Sequence, residues 1–584
     1  MNTDTLHIID DIFPSLEEDA YVVCLQNNDT QTYKNEIALL ELFYEKQEML
    51  KEELLVFQSE VFKKIESRLD DKSLIGYILS SLFFEKSPYK TDSMYLFFKL
   101  RLIISVIETY KIETLYVYSS KQSITTFFQK FAQIASKKII VKEASSKELS
   151  FKEKVMQNGL LSFGFKVLQE YKKQKFTKQQ QTKKKLVVSY YPSYFFQNNH
   201  FISKYFADVS YMLSQEYEWL FIYAGEKSKL YEEDQYLKKN GFREYNFLDN
   251  YISISDFGEI YHRYSVIKQK LKHLDMKTFF VYEGVDFFPV MENDMKKSFG
   301  VVLIDTLFFE KRFENYFSHK KYEEVLYLME YQPWEQMLNK VLKINAPESI
   351  SKGVTHSVIR PNLLNYMYPE NIHNKMFLPD YVGANGEFIQ HIYQKNGFKK
   401  EQIFPIEAQR FLYLSDEKQE STQHKALLIT TSIDFKETQE LLEFFAKAYT
   451  EKIFEKIYIK AHPDLPVDTI IKEIDSFPEY SIVSGSMQDA FAKVDVVYSA
   501  NSSSVLLEAL MNGKKTLTIF SLTSLPMPAV QRHPLLYIAT TIEKLHNIFL
   551  TIYDNQIFSE KQNMDDVLFL DKELALWKRF IDVK

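Results

Sequence analysis

Glycine is scarce in this chain of 584 residues, with 14 against 48 phenylalanines and 39 tyrosines. Gly-rich phosphate loops are therefore few, and a phosphate site would have to use helix N-termini, hydroxyls and basic side chains. Cysteine is all but missing. Cys24 stands alone, which excludes an internal disulfide and a cysteine-built zinc site and fits a reducing compartment. No apolar run approaches the roughly 20 residues of a membrane span. The first residues, Met1 to Asp11, lack a basic start followed by an apolar core. The expectation is a cytoplasmic protein, soluble or peripheral at the inner face of the cell membrane. A basic excess is missing too, since the net charge of −7 argues against a general nucleic-acid partner.

What is present is a series of short β-branched and aromatic runs separated by helical stretches. Leu115–Ser119, Lys185–Tyr190, Trp219–Tyr223, Thr278–Tyr282 and Val325–Met329 form a first series. Ala426–Thr430, Lys456–Lys460, Tyr480–Val483, Asp495–Tyr498 and Lys515–Ile519 form a second. Buried strands alternating with helices predict an α/β fold of two doubly wound, Rossmann-like units with parallel sheets. The boundaries expected are an N-terminal domain over 1–410, a linker over 411–425 and a C-terminal domain over 426–560. A last helical segment, 561–584, is expected to pack back on the first domain. The stretch 151–185 stands apart as a basic excursion, with a helix over Val155–Tyr171 followed by Lys- and Gln-rich sequence. It reads as a solvated linker or as a contact with an anionic membrane surface, where each basic residue adds about 1 kcal/mol.

Ligands in doubly wound sheets bind at the carboxyl ends of the strands, so residues there are the candidates. In the second unit Lys460 is followed by Ala461, His462 and Pro463. A histidine at that place can hydrogen-bond a donor phosphate and stabilise a departing nucleotide. About forty residues on, the strand ending at Tyr498 runs into Asn501, Ser502, Ser503 and Ser504 ahead of a helix, an anion site made of N–H groups and hydroxyls. Glu508 is within reach of a ribose hydroxyl. Thr430, Thr431 and Ser432 would line the phosphates or the cleft, and Ser484 and Gly485 suit a nucleobase. Each of these also serves as an ordinary helix cap. In the first unit Glu283 and Asp286 follow one expected strand and Glu330 another, each a candidate base for an acceptor hydroxyl, with Glu283 preferred. His356, Ser357 and Arg360 mark a third strand end on the acceptor side.

The order acid–Gly (Glu283-Gly284), His-Pro (His462-Pro463) and serine cluster (Ser502–Ser504) resembles the bacterial sialyltransferases and polysialyltransferases of GT-B fold. Tyr282 stands where that family has a first acid. More broadly, residues 185–540 resemble bacterial surface-carbohydrate biosynthesis proteins, through Ser189-Tyr-Tyr191, Glu330–Glu335, Gly353–Ser357, Glu407–Arg410 and the His462 and serine motifs. The resemblance implies GT-B architecture and a CMP-activated 2-keto acid sugar as donor: sialic, legionaminic or pseudaminic acid, or Kdo. It implies an oligosaccharide or lipid-linked glycan of capsule or lipopolysaccharide as acceptor. Glu283 would then be the base, His462 would act on the CMP phosphate, and Ser502–Ser504 would hold it. No cofactor and no metal are expected, in agreement with the lack of Asp-x-Asp at any expected strand end. Two other readings stand beside it: a teichoic-acid-type polyol-phosphate transferase using CDP-glycerol, and a non-catalytic assembly protein on a GT-B scaffold.

Overall fold

The computed structural model describes residues 4–16, 20–27, 33–142, 150–172, 178–415, 425–553 and 566–583. Three parallel sheets follow one another along the chain. The first holds strands Thr5–Ile9, Tyr21–Cys24, Thr114–Tyr118 and Lys138–Lys142, in the order second, first, third, fourth. Helix Leu39–Arg68 packs on helix Ser93–Thr109, with Phe43 against Tyr95 and Phe98 and Phe57 against Phe97, and its buried Leu39, Phe43, Leu50, Leu54, Phe57, Val61 and Ile65 form a stripe with the three-to-four spacing of one helix face. The expected strand Leu115–Ser119 therefore belongs to a separate N-terminal unit and not to the sheet that follows.

The middle sheet has seven strands: Lys185–Tyr191, Tyr217–Tyr223, Tyr245–Phe247, Glu324–Leu328, Ile350–Val354, Tyr381–Ala384 and Ile403–Pro405. Their spatial order is 3-2-1-4-5-6-7. The C-terminal sheet has six: Ala426–Thr430, Lys456–Lys460, Ser481–Ile482, Val496–Ser499, Lys515–Ile519 and Leu536–Ala539, in the order 3-2-1-4-5-6. Both orders reverse between strands one and four, as in dinucleotide-binding Rossmann sheets, and the crevice at that reversal is where such sheets take ligands. Every pairing in the two sheets is parallel, so all the carboxyl ends of one sheet share one edge. The fold is GT-B: two Rossmann-like domains joined across a cleft, here with the smaller N-terminal sheet added.

One expected strand is not in any of these sheets. Met276–Thr278 is a 3-10 turn, and Val281–Tyr282 pairs only with Val285–Asp286 in a two-stranded antiparallel hairpin. Phe280 and Tyr282 are buried among Phe57, Phe83 and Phe97, so the apolar run serves an aromatic cluster and not a parallel sheet. The helix expected over Val155–Tyr171 is two, Phe151–Gln157 and Gly159–Tyr171. Asn158 breaks it, its side chain accepting from Leu160 N and Leu161 N to start the second helix.

Two sets of contacts hold the units together. Val358, Ala408 and Phe411 of the middle domain pack with Leu507 and Ala529 of the C-terminal domain. Helix Ala575–Ile581 returns to the middle sheet, where Glu407 accepts from Leu576 N and Trp577 N at 2.7 and 2.9 Å and Lys352 donates to the Phe580 and Ile581 carbonyls. The N-terminal unit braces both: Tyr95 Oη donates to Ser521 O, Tyr44 Oη to Gln531 O and Lys99 Nζ to Leu522 O of the C-terminal domain, and Lys51 Nζ to Pro361 O of the middle domain. Burial pushes the Lys99 ammonium down to about 7, since a cation loses hydration there. Of the expected linker 411–425, residues 416–424 lie outside the described residues.

Candidate active site

On the C-terminal edge the fourth strand lies beside the first, and the second on its other side. His462 and Ser502 therefore flank the end of strand Ala426–Thr430, two strand spacings or roughly 10 Å apart along the edge. Thr431 Oγ1 accepts from His462 N at 3.0 Å and fixes the backbone there. His462 Nδ1 accepts from Asp464 N at 3.2 Å. That assigns the ring proton to Nε2 of a half-buried imidazole. Burial holds the imidazole below its usual pKa, against the opposing pull of the Asp464 carboxylate. Lys460 Nζ is tied to Gly485 O at 2.7 Å, drawing the exposed Ser484-Gly485 loop to the same corner. Pro463 is exposed beyond it.

The three serines differ from one another. Ser502 donates both N–H and hydroxyl to the Glu437 carboxylate, and its Oγ lies 3.0 Å from Ser432 Oγ. Ser504 donates to Glu508 at 2.8 Å, and Glu508 also accepts from the Tyr413 hydroxyl. Ser503 Oγ caps the helix by accepting from Val505 N. Two of the hydroxyls expected to cradle phosphate thus serve carboxylates. Thr430 is likewise absorbed, its hydroxyl bonded to Ser499 Oγ at 2.8 Å inside the sheet. The reason is local: with Glu437 and Glu508 one turn into neighbouring helices, a hydroxyl finds a charged acceptor before it finds solvent.

The middle edge gathers a tighter group at its own reversal. Glu330 follows strand Glu324–Leu328 and His356 follows Ile350–Val354, with His356 Nε2 3.3 Å from Glu330 Oε1. Burial raises the Glu330 carboxyl above its ordinary range, although Lys90 and Arg410 pull the other way. Glu335, buried and accepting from Glu330 N and Tyr331 N at 2.9 Å, is raised further by burial and by Glu330. Burial, helped by Arg410, depresses His356 to about 3, so the ring is neutral at physiological pH. Tyr205 meets it edge-on at 5.2 Å. His356 Nδ1, Arg360 Nε and Asn365 Oδ1 are buried without a hydrogen-bond partner among the described residues. Arg360 Nη2 donates to Tyr89 Oη at 2.7 Å, and Ser357 O accepts from Asn385 Nδ2.

Glu283 and Asp286 sit elsewhere. Glu283, at φ 49°, and Gly284, at φ 79°, form the turn of the antiparallel hairpin, a left-handed pair suited to such a turn. Glu283 is bound by Arg101 Nη2 at 2.5 Å and Asp286 by Lys130 Nζ at 2.6 Å, both cations of the N-terminal unit. The expectation that Glu283 closes a sheet strand and faces the cleft is corrected by this placement.

Arg410, Tyr413, Lys90 and Glu437 are the residues that strand-end reasoning passed over. The Arg410 charge bears on Glu330, His356 and Tyr413, and the Tyr413 hydroxyl bonds Glu508, which also accepts from Ser504. The sequence signal was Glu407–Arg410, noted only as part of a resemblance. A cavity of about 550 Å³ opens between the units, lined by Lys90 of the first, Asp294 and Lys297 of the second, and Lys436, Glu437 and Ser502 of the third.

No family model and no curated protein matches the chain. Among solved structures, the S. aureus MnaA–UDP co-structure covers 69% of this chain and 95% of its own, at 12% identity and TM-score 0.37. UDP-GlcNAc 2-epimerase from Neisseria meningitidis bound to UDP-GlcNAc covers 68% and 98%, at 10% and 0.37. A glycosyltransferase from Rickettsia africae ESF-5 covers 68% and 96%, at 10% and 0.36. Likenesses this distant leave the fold resting on the strand orders and the activity on the side chains.

Proposed function

We propose that the chain is a glycosyltransferase whose donor nucleotide lies on the C-terminal edge and whose acceptor lies on the middle edge, with Glu330 as base. The observation that supports this is the Glu330–His356 pair, its carboxyl raised by burial, with the Arg410 charge bearing on both and on Tyr413, whose hydroxyl bonds Glu508 beside Ser504. The middle edge offers a carboxylate of raised pKa and the C-terminal edge an imidazole N–H. In the reaction Glu330 takes the acceptor hydroxyl proton, the acceptor oxygen bonds the anomeric carbon, and the bond from that carbon to the phosphate oxygen breaks. The leaving nucleotide keeps the electron pair, and His462 Nε2–H hydrogen-bonds its phosphate. The buried polar atoms left unpaired at His356, Arg360 and Asn365 suit an acceptor rich in hydroxyls.

The donor proposed is a CMP-activated 2-keto acid sugar, on the order His462-Pro463 then Ser502–Ser504. Such a donor carries its own carboxylate, so chelation of divalent metals is expected to leave the rate unchanged. The test is nucleotide release from CMP-, CDP-, UDP- and GDP-activated donors, with and without a glycan acceptor. Consumption of CMP-sugars alone supports the proposal. Consumption of UDP- or GDP-sugars keeps the glycosyltransferase and discards the donor; consumption of CDP-glycerol, or binding of CMP without turnover, discards both.

A further inference from the structure

The helical pair 151–171 carries a surface that the site does not use. It is seated firmly on the middle domain. A Cβ on Gly159 would meet Tyr264 Oη at 2.0 Å, and one on Gly300 would meet Met156 O at 2.4 Å, so backbone and ring close directly over both glycines. Glu170 faces inward to Arg312 at 2.5 Å, both buried, and Lys166 bonds Asp305. The opposite face is left in solvent: Leu160 is 57% exposed, Leu161 42%, Phe165 45%, Leu168 57% and Tyr171 74%. At 3.6 residues per turn these five fall within an arc of about 140°. Phe151, 69% exposed, meets Phe165 edge-on. A helix facing only water would carry polar residues on that arc.

The described charge at the ends of this face is net positive. Lys152, Lys154 and Lys172 are exposed there, while Glu170 is paired with Arg312 and Glu153 sits in the capping box with Ser150. In sequence, residues 172–178 hold four lysines and no acid, and 143–149 hold two acids and one lysine. Lys183, Lys184 and Lys185, counted in the basic excursion by sequence, are instead paired with Glu244, Glu323 and Glu216. Among the described residues no helix is long and apolar enough to cross a membrane, so the face can lie on a bilayer but not enter it as a span. Gln157 Nε2 donates to Asn293 Oδ1 at 2.8 Å, and Asn293 lines the cavity between the three units.

We infer that the outer face of helices Phe151–Gln157 and Gly159–Tyr171 rests on an anionic phospholipid bilayer, with the apolar arc in the headgroup layer and the lysines on lipid phosphates. This sets the cavity beside the membrane surface. On the glycosyltransferase reading, and only there, it follows that the acceptor is carried on a lipid.

The test is flotation of the full chain with phosphatidylcholine vesicles, with and without phosphatidylglycerol, at low and high salt. The chain is expected to float with the phosphatidylglycerol vesicles and less so in high salt. The triple variant Leu161→Ser, Phe165→Ser, Leu168→Ser and the double variant Lys152→Glu, Lys172→Glu should each partition about tenfold or more weakly. Their thermal melts and their donor hydrolysis in solution should stay as in the parent. Equal binding by parent and triple variant overturns the inference, as does a parent that never floats. Loss of a parent dimer in the triple variant without any vesicle binding assigns the face to a second copy and also overturns it. Flotation by a chain that consumes no donor keeps the docking surface and discards the proposed activity.

Discussion

The two sheet edges differ in how far their ionisable groups are withdrawn from water. On the middle edge Glu335 and His356 are buried and the Glu330 side chain is 26% exposed, and burial comes first among the causes of every shift there, as it does for His462 on the other edge. On the C-terminal edge His462 stays half-buried, Pro463 and Asp464 are exposed, and serine hydroxyls spend themselves on Glu437 and Glu508. Proton abstraction gains from a desolvated, poised carboxyl, whereas a nucleotide must arrive from water and leave again. On the proposed reading the middle edge handles the proton and the C-terminal edge the phosphate.

The sharpest way to break this contrast is Glu330→Gln. With the base gone and the shape kept, turnover should fall about 10²–10⁴-fold while nucleotide binding by calorimetry is unchanged; a loss under about tenfold would remove the middle edge from the chemistry. Next comes stability against pH. His356 is depressed from 6.5 to about 3 in the fold, so its contribution is present above 6.5 and is lost as pH falls from 6.5 toward 3. The total is on the order of several kcal/mol. Glu330 and Glu335, being raised, act with the opposite sign. Urea melts of His356→Phe beside the parent isolate the histidine, and identical pH slopes would sink the claim.

His462→Ala should lower turnover about 10²-fold by removing a single donor to the leaving phosphate, with a smaller change in donor KM. A reversed pattern, KM rising and turnover kept, would make the imidazole a binding group only. The smallest effect is expected at Glu283→Gln. Its carboxylate is 58% exposed and meets Arg101 on a hairpin turn, and a pair so exposed is worth little. Transfer within about twofold of the parent is expected, and a collapse of rate would move the base back to the hairpin.

Much of the C-terminal sheet was legible because Ala426–Thr430 and Lys515–Ile519 are buried nearly throughout and read as apolar runs, while Lys456–Lys460 alternates buried isoleucines with more exposed residues. Ala426–Thr430, Lys456–Lys460 and Lys515–Ile519 lie where the sequence put them. The same signal misled at Thr278–Tyr282, since an apolar run packed into an aromatic cluster looks like a core strand. Strands Thr5–Ile9 and Tyr21–Cys24 went unread, and with them the N-terminal unit, because four or five residues without a neighbouring motif give no period to detect. His462 and the serines were found as strand ends. The sharing of Ser502 with Glu437 was not, for it depends on a helix more than sixty residues away in sequence coming alongside. Arg410 was visible only as a residue type in a motif, since its influence on Glu330 and Tyr413 exists only once the chain is folded.

The brace formed by the N-terminal unit has a mechanical consequence. Tyr95, Lys99 and Tyr44 reach the C-terminal domain, while Lys51 Nζ bonds Pro361 O and Lys64 Nζ bonds Val281 O in the middle domain. Pulling the two Rossmann-like domains apart would therefore also break hydrogen bonds to a third body, so the cleft is held at three sides and not at one.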